Sequence, residues 1–277
     1  SETVAQAACG TGVRLTAPFT GRCNLYAATA GLMVSDRVQV DTLNRLHEAL
    51  TIATLPSWSL VEEGQMLATV KVIPFAAPAT SVEAGAAIAA EGDALVRIHP
   101  FRPLKAGLIV TRLADTKDKV LDKTVTVTRR RLEDLGSSLA DVRQCDHKSA
   151  NVAAEIQASL ATGVDMVLLF GASAIVDRRD VIPAGLVAAG GEVEHFGMPV
   201  DPGNLLLLGS KDGVPVIGLP GCARSPKLNG LDWVLQRFCT GLPVSAEELT
   251  AMGSGGLLKE IASRPQPRDG SKVESEP

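Results

Sequence analysis

The stretch VDMVLLFGASAIVDRRDVIP, Val164 to Pro183, sets an unbroken apolar run against four small residues, then acids and arginines, then a proline. An apolar run without alternation reads as a strand covered on both faces, as in a parallel sheet. Pro183 falls where a helix can start, because the first turn of a helix has no use for the missing N–H. A strand that leads through small residues into a helix N-terminus is also a place where an anion can meet free backbone N–H groups. The stretch predicts a strand-to-helix turn and raises the question of a ligand cradle.

The same rhythm extends to both sides. Upstream, GLIVTRL (107–113) is a continuous apolar strand, KTVTVTRRRLEDLG a helix stopped by Gly136, SLADVRQC a strand, and ANVAAEIQASLATG a helix with Val152, Ile156 and Leu160 four apart. Downstream come the helix IPAGLVAAGG, then three strands, EVEHFGMP, NLLLLG and VPVIGLP. A last helix, SPKLNGLDWVLQRFCTG, places Leu228, Leu231, Leu235 and Phe238 on one face. Strands alternating with helices predict a three-layer α/β/α domain with a mostly parallel sheet over 104–248. Residues 1–103 have a different texture, with short β-branched runs such as QMLATVKV broken by Pro and Gly, and predict a smaller β-rich domain. Two helices interrupt it in this reading. One starts at an Asp41 cap and carries Leu43, Leu46 and Leu50; the other lies in Ala76 to Asp93, a stretch that reads as a linker or, in preference, as a helix containing Val82 to Ala90 and capped by Ser81. Residues 249–277, ending in SRPQPRDGSKVESEP, predict a flexible tail or linker.

Composition narrows the function classes. A net charge of −4 argues against phosphate-backbone binding, and 3% aromatics leave no stacking platform, so no nucleic-acid partner is expected. No apolar run approaches about 18 residues, so no membrane span is expected. Five cysteines without a C-x-x-C pair read as reduced thiols of a cytoplasmic protein, and the four histidines have no metal-ligand spacing. The chain starts without Met and lacks a signal-peptide pattern, which reads as an excised piece of a longer protein.

In open α/β sheets ligands sit beyond the carboxyl ends of the strands, which nominates three loops. The loop ADTKDKVLDK carries Asp115, Asp118 and Asp122, carboxylates able to hold magnesium or simply to face water. The arginine run 129–131 inside the next helix reads as its solvated face. In the opening stretch, Gly171, Ala172, Ser173 and Ala174 allow close backbone approach, and Arg178 and Arg179 add charge. There Asp177 or Asp180 could ligate a metal, or Asp180 could cap the helix. The third loop, GLPGCARSPK, has Gly218, Pro220 and Gly221 at a strand end. Ser225 and Pro226 open a helix, with Arg224 and Lys227 as cations. Asn204, in the turn DPGN, is placed to hydrogen-bond a polar ring. G-A-S after a strand also resembles the start of a G-x-S-x-G nucleophile elbow. Ile175 stands at the second glycine, however, and no His follows His195 to complete a Ser–acid–His order, so a serine hydrolase is set aside.

FGASAIVDRRDVIP, DPGNLLLLG and VPVIGLPGCARSP, in that order and spacing over about 104–244, resemble the MoaB/Mog-type molybdopterin-binding domain of molybdenum cofactor biosynthesis. Its members carry a T-G-G loop with an R-D-V-x-P segment and, further on, G-L-P-G-N-P before a helix. The resemblance implies a bound molybdopterin or molybdopterin nucleotide, with magnesium as a helper. It implies Asp122 and Asp180 as functional acids, Asp180 also as metal ligand, and the glycine loops as the pterin-phosphate site. Departures are Ala172 for the second glycine, an extra residue before Asp177, TRLAD after the first strand, and GCARSP for G-N-P. Catalysis tolerates such displacements less well than binding, which favours a binding or carrier module. The alternatives are a magnesium-dependent molybdopterin adenylyltransferase or molybdate-insertion enzyme and, more distantly, a competence-damage-type nucleotide hydrolase. Implied partners are the pterin itself, a nucleotidyltransferase domain or molybdoenzyme maturation factors, and further copies of the chain.

Overall fold

A computed structural model describes residues 1–258. Most of the expected tail, residues 259–277, lies outside the described residues. The N-terminal part comprises α1 (Glu2–Ala8), β1 (Val13–Leu15), β2 (Arg22–Ala27), β3 (Gly31–Ser35), α2 (Arg37–Leu46), β4 (Leu50–Thr54), β5 (Ser59–Val61), β6 (Met66–Val72), α3 (Ala79–Ala89) and β7 (Val96–His99). Its strands pair antiparallel in two sheets, β1-β2-β6-β4 and β5-β3-β7, around a core that includes Val4, Leu25, Met33, Leu43, Leu50 and Ile98.

Both helices expected here are present with different starts. α2 begins at Arg37, four residues before Asp41, because the Asp36 carboxylate accepts the Gln39 N–H at 3.0 Å and caps it. The helix stops at His47, whose backbone is extended, and Leu50 enters β4 with the β-branched run that follows. α3 starts at Ala79 behind Pro78, whose ring pre-sets the entry angle, so Ser81 is not its cap.

The second part runs β8 (Lys105–Arg112), α4 (Asp118–Glu133), β9 (Ser138–Asp146), α5 (Ser149–Leu160), β10 (Met166–Phe170), α6 (Val181–Ala188), β11 (Glu192–Phe196), β12 (Leu207–Lys211), β13 (Val214–Gly218), α7 (Gly230–Thr240) and α8 (Ala246–Thr250). Its six-stranded sheet has the order β11-β12-β13-β10-β8-β9. The block β13-β10-β8-β9 is parallel, and β12 joins antiparallel at β13. Period-two alternation splits the apolar strands between two cores. Leu108, Val110, Leu168 and Phe170 face α4 and α7, while Ile109, Val167 and Leu169 face α5 and α6. This is the expected three-layer α/β/α arrangement with a mostly parallel sheet.

The first part of the segment expected as a tail is folded: α8 and a short 3-10 turn place Leu249 and Met252 in the core, and Leu257 bridges Asp201. α7 also meets the N-terminal part. The Arg237 guanidinium lies 4.0 Å from the centre of the Trp58 ring, and the Arg102 N–H donates to the Cys239 carbonyl at 2.6 Å.

Gly31 marks a tight contact between strands. A Cβ there would lie 2.4 Å from the His99 carbonyl oxygen and 2.8 Å from an Ile98 methyl, and the oxygen belongs to paired backbone that cannot swing away. Gly31→Ala is expected to destabilise the protein by about 1–3 kcal/mol, the usual range for overpacking. A fall in the urea midpoint checks this.

Candidate functional site

Along the sequence β8 is followed by β9 on one side and β10 lies on the other, so the sheet switches direction at β8. Beyond the carboxyl ends of β8 and β10 a crevice is therefore expected. At these strand ends stands Thr111, a hydroxyl that closes the apolar run 106–110 of β8 and is 1% exposed. Its Oγ1 accepts the Ala172 N–H at 2.8 Å, donates toward the Phe170 carbonyl at 3.4 Å and lies 2.8 Å from His147 Nδ1. His147 comes from the loop after β9, where its own N–H donates to the Arg112 carbonyl at 2.9 Å. Its Nε2 lies 2.9 Å from Ser173 Oγ on the rim. Burial lowers the His147 pKa, against the opposing field of Asp180, so the ring is neutral at pH 7.

Sequence reading did not nominate His147. The signal was available, since the rule that selected the loops after β8, β10 and β13 applies equally to the loop after β9.

The glycines of the cradle serve the fold more than an incoming ligand. A Cβ on Gly171 would meet the Ser173 carbonyl oxygen at 2.6 Å, and one on Gly218 would meet Ile175 Cδ1 at 2.7 Å. Gly221 alone of the three faces open space. Ile175, at the position of the missing elbow glycine, is buried and fills the space over Gly218.

The charged residues sort in the same way. Asp177 Oδ1 accepts both the backbone N–H of Arg179, at 2.8 Å, and its Nε, at 3.1 Å, so that arginine is neutralised locally and the carboxyl pKa is held down. Arg178 donates to the Val193 carbonyl on β11. Asp180 precedes α6 without capping it by its side chain. Its Oδ2 instead accepts the N–H groups of Val176, at 2.6 Å, and Asp177, at 2.9 Å, and folds the loop back on itself. Asp122 is not in a loop. α4 starts at Asp118, and Asp122 sits one turn in, exposed, with Arg112 paired to Asp118 at 3.1 Å in front of it. Asn204 is exposed in the turn before β12. The glycine before it, Gly203, has φ +137° and packs its α-carbon against Gly230, tying that turn to α7.

The third loop corrects two expectations. Ser225 and Pro226 do not open a helix: Gly221–Arg224 is one 3-10 turn, and α7 starts at Gly230 with Asn229 and Asp232 forming a capping box. Nor is the 129–131 arginine run a solvated face throughout, because Arg131 is 8% exposed. Its guanidinium pairs with Asp232 at 2.7 Å and donates to the carbonyls of Ala223 at 2.9 Å, Ser225 at 2.6 Å and Lys227 at 2.9 Å. That grip leaves Arg224 lying over the Phe170 ring at 4.4 Å, with Nη2 toward the Gly171 carbonyl at 3.4 Å. Among the described residues Arg224 has no carboxylate partner and its buried Nε has no acceptor. Burial lowers its pKa, as expected for a cation short of compensation.

No three His, Cys, Asp or Glu side chains among the described residues are placed to hold a metal. One oxygen of Asp180 is committed to backbone, and Asp122 lies on an exposed helix face. No described helix is long and apolar enough to cross a membrane.

No family model matches the chain, and no curated protein matches it. Among solved structures, the chain is similar to the molybdopterin biosynthesis MoeA protein of Pyrococcus horikosii at 14% identity and a TM-score of 0.36, covering 86% of this chain and 78% of that one. It is also similar to a protein of Corynebacterium diphtheriae described as a molybdenum cofactor biosynthesis protein, at 14% identity and a TM-score of 0.32, covering 48% and 91%. Both scores are below 0.5, and the functional reading rests on the loops themselves.

Two outcomes are expected. Arg131→Met takes its donor from the half-buried Asp232 carboxylate and from three carbonyls, and is expected to cost about 3–5 kcal/mol. That is a fall in Tm on the order of 10 °C, with Arg131→Lys recovering only part, because an ammonium cannot reproduce the planar fork. Cys145, at the end of β9, has its thiol pushed up to about 11, first by burial and then by Glu155 and Asp146. Iodoacetamide at pH 8 is therefore expected to leave it unmodified in the folded protein, as peptide mass mapping would show.

Proposed function

We propose that the crevice between the β10 and β13 loops binds a phosphorylated pterin of the molybdopterin type, as free cofactor or as its nucleotide. Arg224 carries the reading: a partly buried guanidinium that has no carboxylate partner among the described residues, fixed by Arg131 and Phe170 beside exposed small residues, suits an anionic group. The pterin itself is inferred from the order and spacing of FGASAIVDRRDVIP, DPGNLLLLG and GLPGCARSP. Ser173, Ala174 and Gly221 would line the approach, with Asn204 next to it; Ala172 is occupied in holding Thr111.

Binding without adenylyl transfer is the form the geometry favours. Asp180 is turned toward its own loop and Asp122 rides on α4, so neither is poised as the acid of a magnesium-dependent step. A nucleotidyltransferase domain, maturation factors and further copies of the chain remain the proposed partners for handing the ligand on.

The test is a calorimetric titration with molybdopterin, followed by incubation with ATP and magnesium. Saturable binding is expected, weakened at least tenfold in Arg224→Gln, since a charged hydrogen bond is worth about 1.5–3 kcal/mol. No AMP adduct is expected. No binding would sink the proposal, and AMP transfer abolished by Asp180→Asn would convert the carrier into an enzyme.

A further inference from the structure

We propose that Ser173 and His147 form a nucleophile–base pair, oriented by Thr111, that acts on small carboxylic esters at the mouth of the crevice. The proposal goes beyond ligand binding and does not depend on which pterin, if any, occupies the site.

Three observations support it. The first is the relay of contacts: Ser173 Oγ to His147 Nε2 at 2.9 Å, and His147 Nδ1 to Thr111 Oγ1 at 2.8 Å. A nucleophile within hydrogen-bond reach of a base, itself oriented by a third group, is the arrangement that activates a hydroxyl. Sequence reading set this chemistry aside because no histidine follows the serine in suitable order. The fold supplies one that precedes it, and chain order is free to differ between such sites.

The second is the tautomer. Thr111 Oγ1 already accepts the Ala172 N–H and has the Phe170 carbonyl as an acceptor for its own proton. If the hydroxyl proton goes to Phe170, the remaining lone pair takes a proton from His147 Nδ1, and every polar group in the cluster is used once. That arrangement leaves Nε2 bare and facing the serine, as a base requires. The ring is neutral at pH 7 and so has a lone pair to offer.

The third is the turn. Gly171 stands two residues before the serine, where any Cβ would strike the Ser173 carbonyl, and the tight bend presents an exposed Ser173. The Ala174 N–H, the residue after the nucleophile, has no acceptor among the described residues and is available to a developing oxyanion.

In the step proposed, Ser173 Oγ bonds to the ester carbonyl carbon as its proton moves to His147 Nε2. The tetrahedral oxyanion faces the Ala174 N–H. On collapse the C–O bond to the alcohol breaks, and the departing alkoxide takes the proton from Nε2. Water then attacks the acyl-serine, giving up a proton to His147, and the carboxylic acid leaves as Ser173 recovers its proton. Ester and water become acid and alcohol, with no other reactant. Arg224, beside the Gly171 carbonyl, favours esters that carry an anionic group.

The experiment incubates the full chain with a fluorophosphonate and, separately, with 4-nitrophenyl acetate. One adduct is expected, mapping to Ser173, absent in Ser173→Ala and formed at least tenfold more slowly in His147→Ala, with ester turnover falling in parallel. Melting curves of each variant confirm that it is folded. Ser173→Cys provides a second route: its thiol should alkylate with iodoacetamide at least tenfold faster than in the Ser173→Cys, His147→Ala double variant. An adduct on another residue, no adduct, or a Ser173 adduct indifferent to His147 would overturn the proposal. A protein that binds molybdopterin yet takes no phosphonate would sink the nucleophile alone, and the reverse result would sink only the pterin.

Discussion

The loop between β13 and α7 depends on one buried cation. Arg131 projects from α4 and gathers three backbone carbonyls of the 223–227 segment and the carboxylate that starts α7. Taking a guanidinium out of water is costly unless its protons are met, and here four donor contacts and an opposite charge meet them. The same Asp232 carboxylate accepts the Asn229 N–H with its other oxygen, so the helix cap and the loop anchor share one group. Because the segment is fixed by its carbonyls, its side chains are left to other tasks, and Arg224 comes to rest over Phe170 at the edge of the sheet.

At the carboxyl ends of the strands a smaller hub does for β8, β9 and β10 what Arg131 does for α4 and α7. Thr111 closes the ends of three parallel strands through the Ala172 N–H, the Phe170 carbonyl and the His147 ring. A hydroxyl suits this place because it can accept and donate at once in a buried site where an unmatched group would be costly. The two hubs together leave at the strand ends a guanidinium that has no carboxylate partner among the described residues and a serine held by a neutral imidazole. The proposed ligand binding and the proposed nucleophilic step draw on different groups there.

Much of the architecture was legible in periodicity. GLIVTRL and VDMVLLF lack alternation because both faces of their strands are covered, and the helices between them keep their apolar spacing for the same reason. Helix starts were less legible. Asp36 and Asn229 make the caps that Asp41 and Ser225 were expected to make, since a cap is decided by which side chain reaches a free N–H, and several polar residues precede each helix. Of the candidate site, the three loops after β8, β10 and β13 were found from the strand ends, and Arg224 with them. The roles within the loops were not: Arg179 is matched by its neighbour Asp177, and Asp180 braces its own turn.

By itself the sequence determined the α/β alternation, the two faces of each central strand and the loops that end them, because these follow from local periodicity and from residues adjacent in the chain. Only the tertiary structure decided that Arg131 is an anchor and not a solvated arginine, and that His147 meets Ser173 from 26 positions away. Burial and partnership are set by which elements pack together. A charge or an imidazole takes its chemistry from neighbours that the chain order does not place beside it.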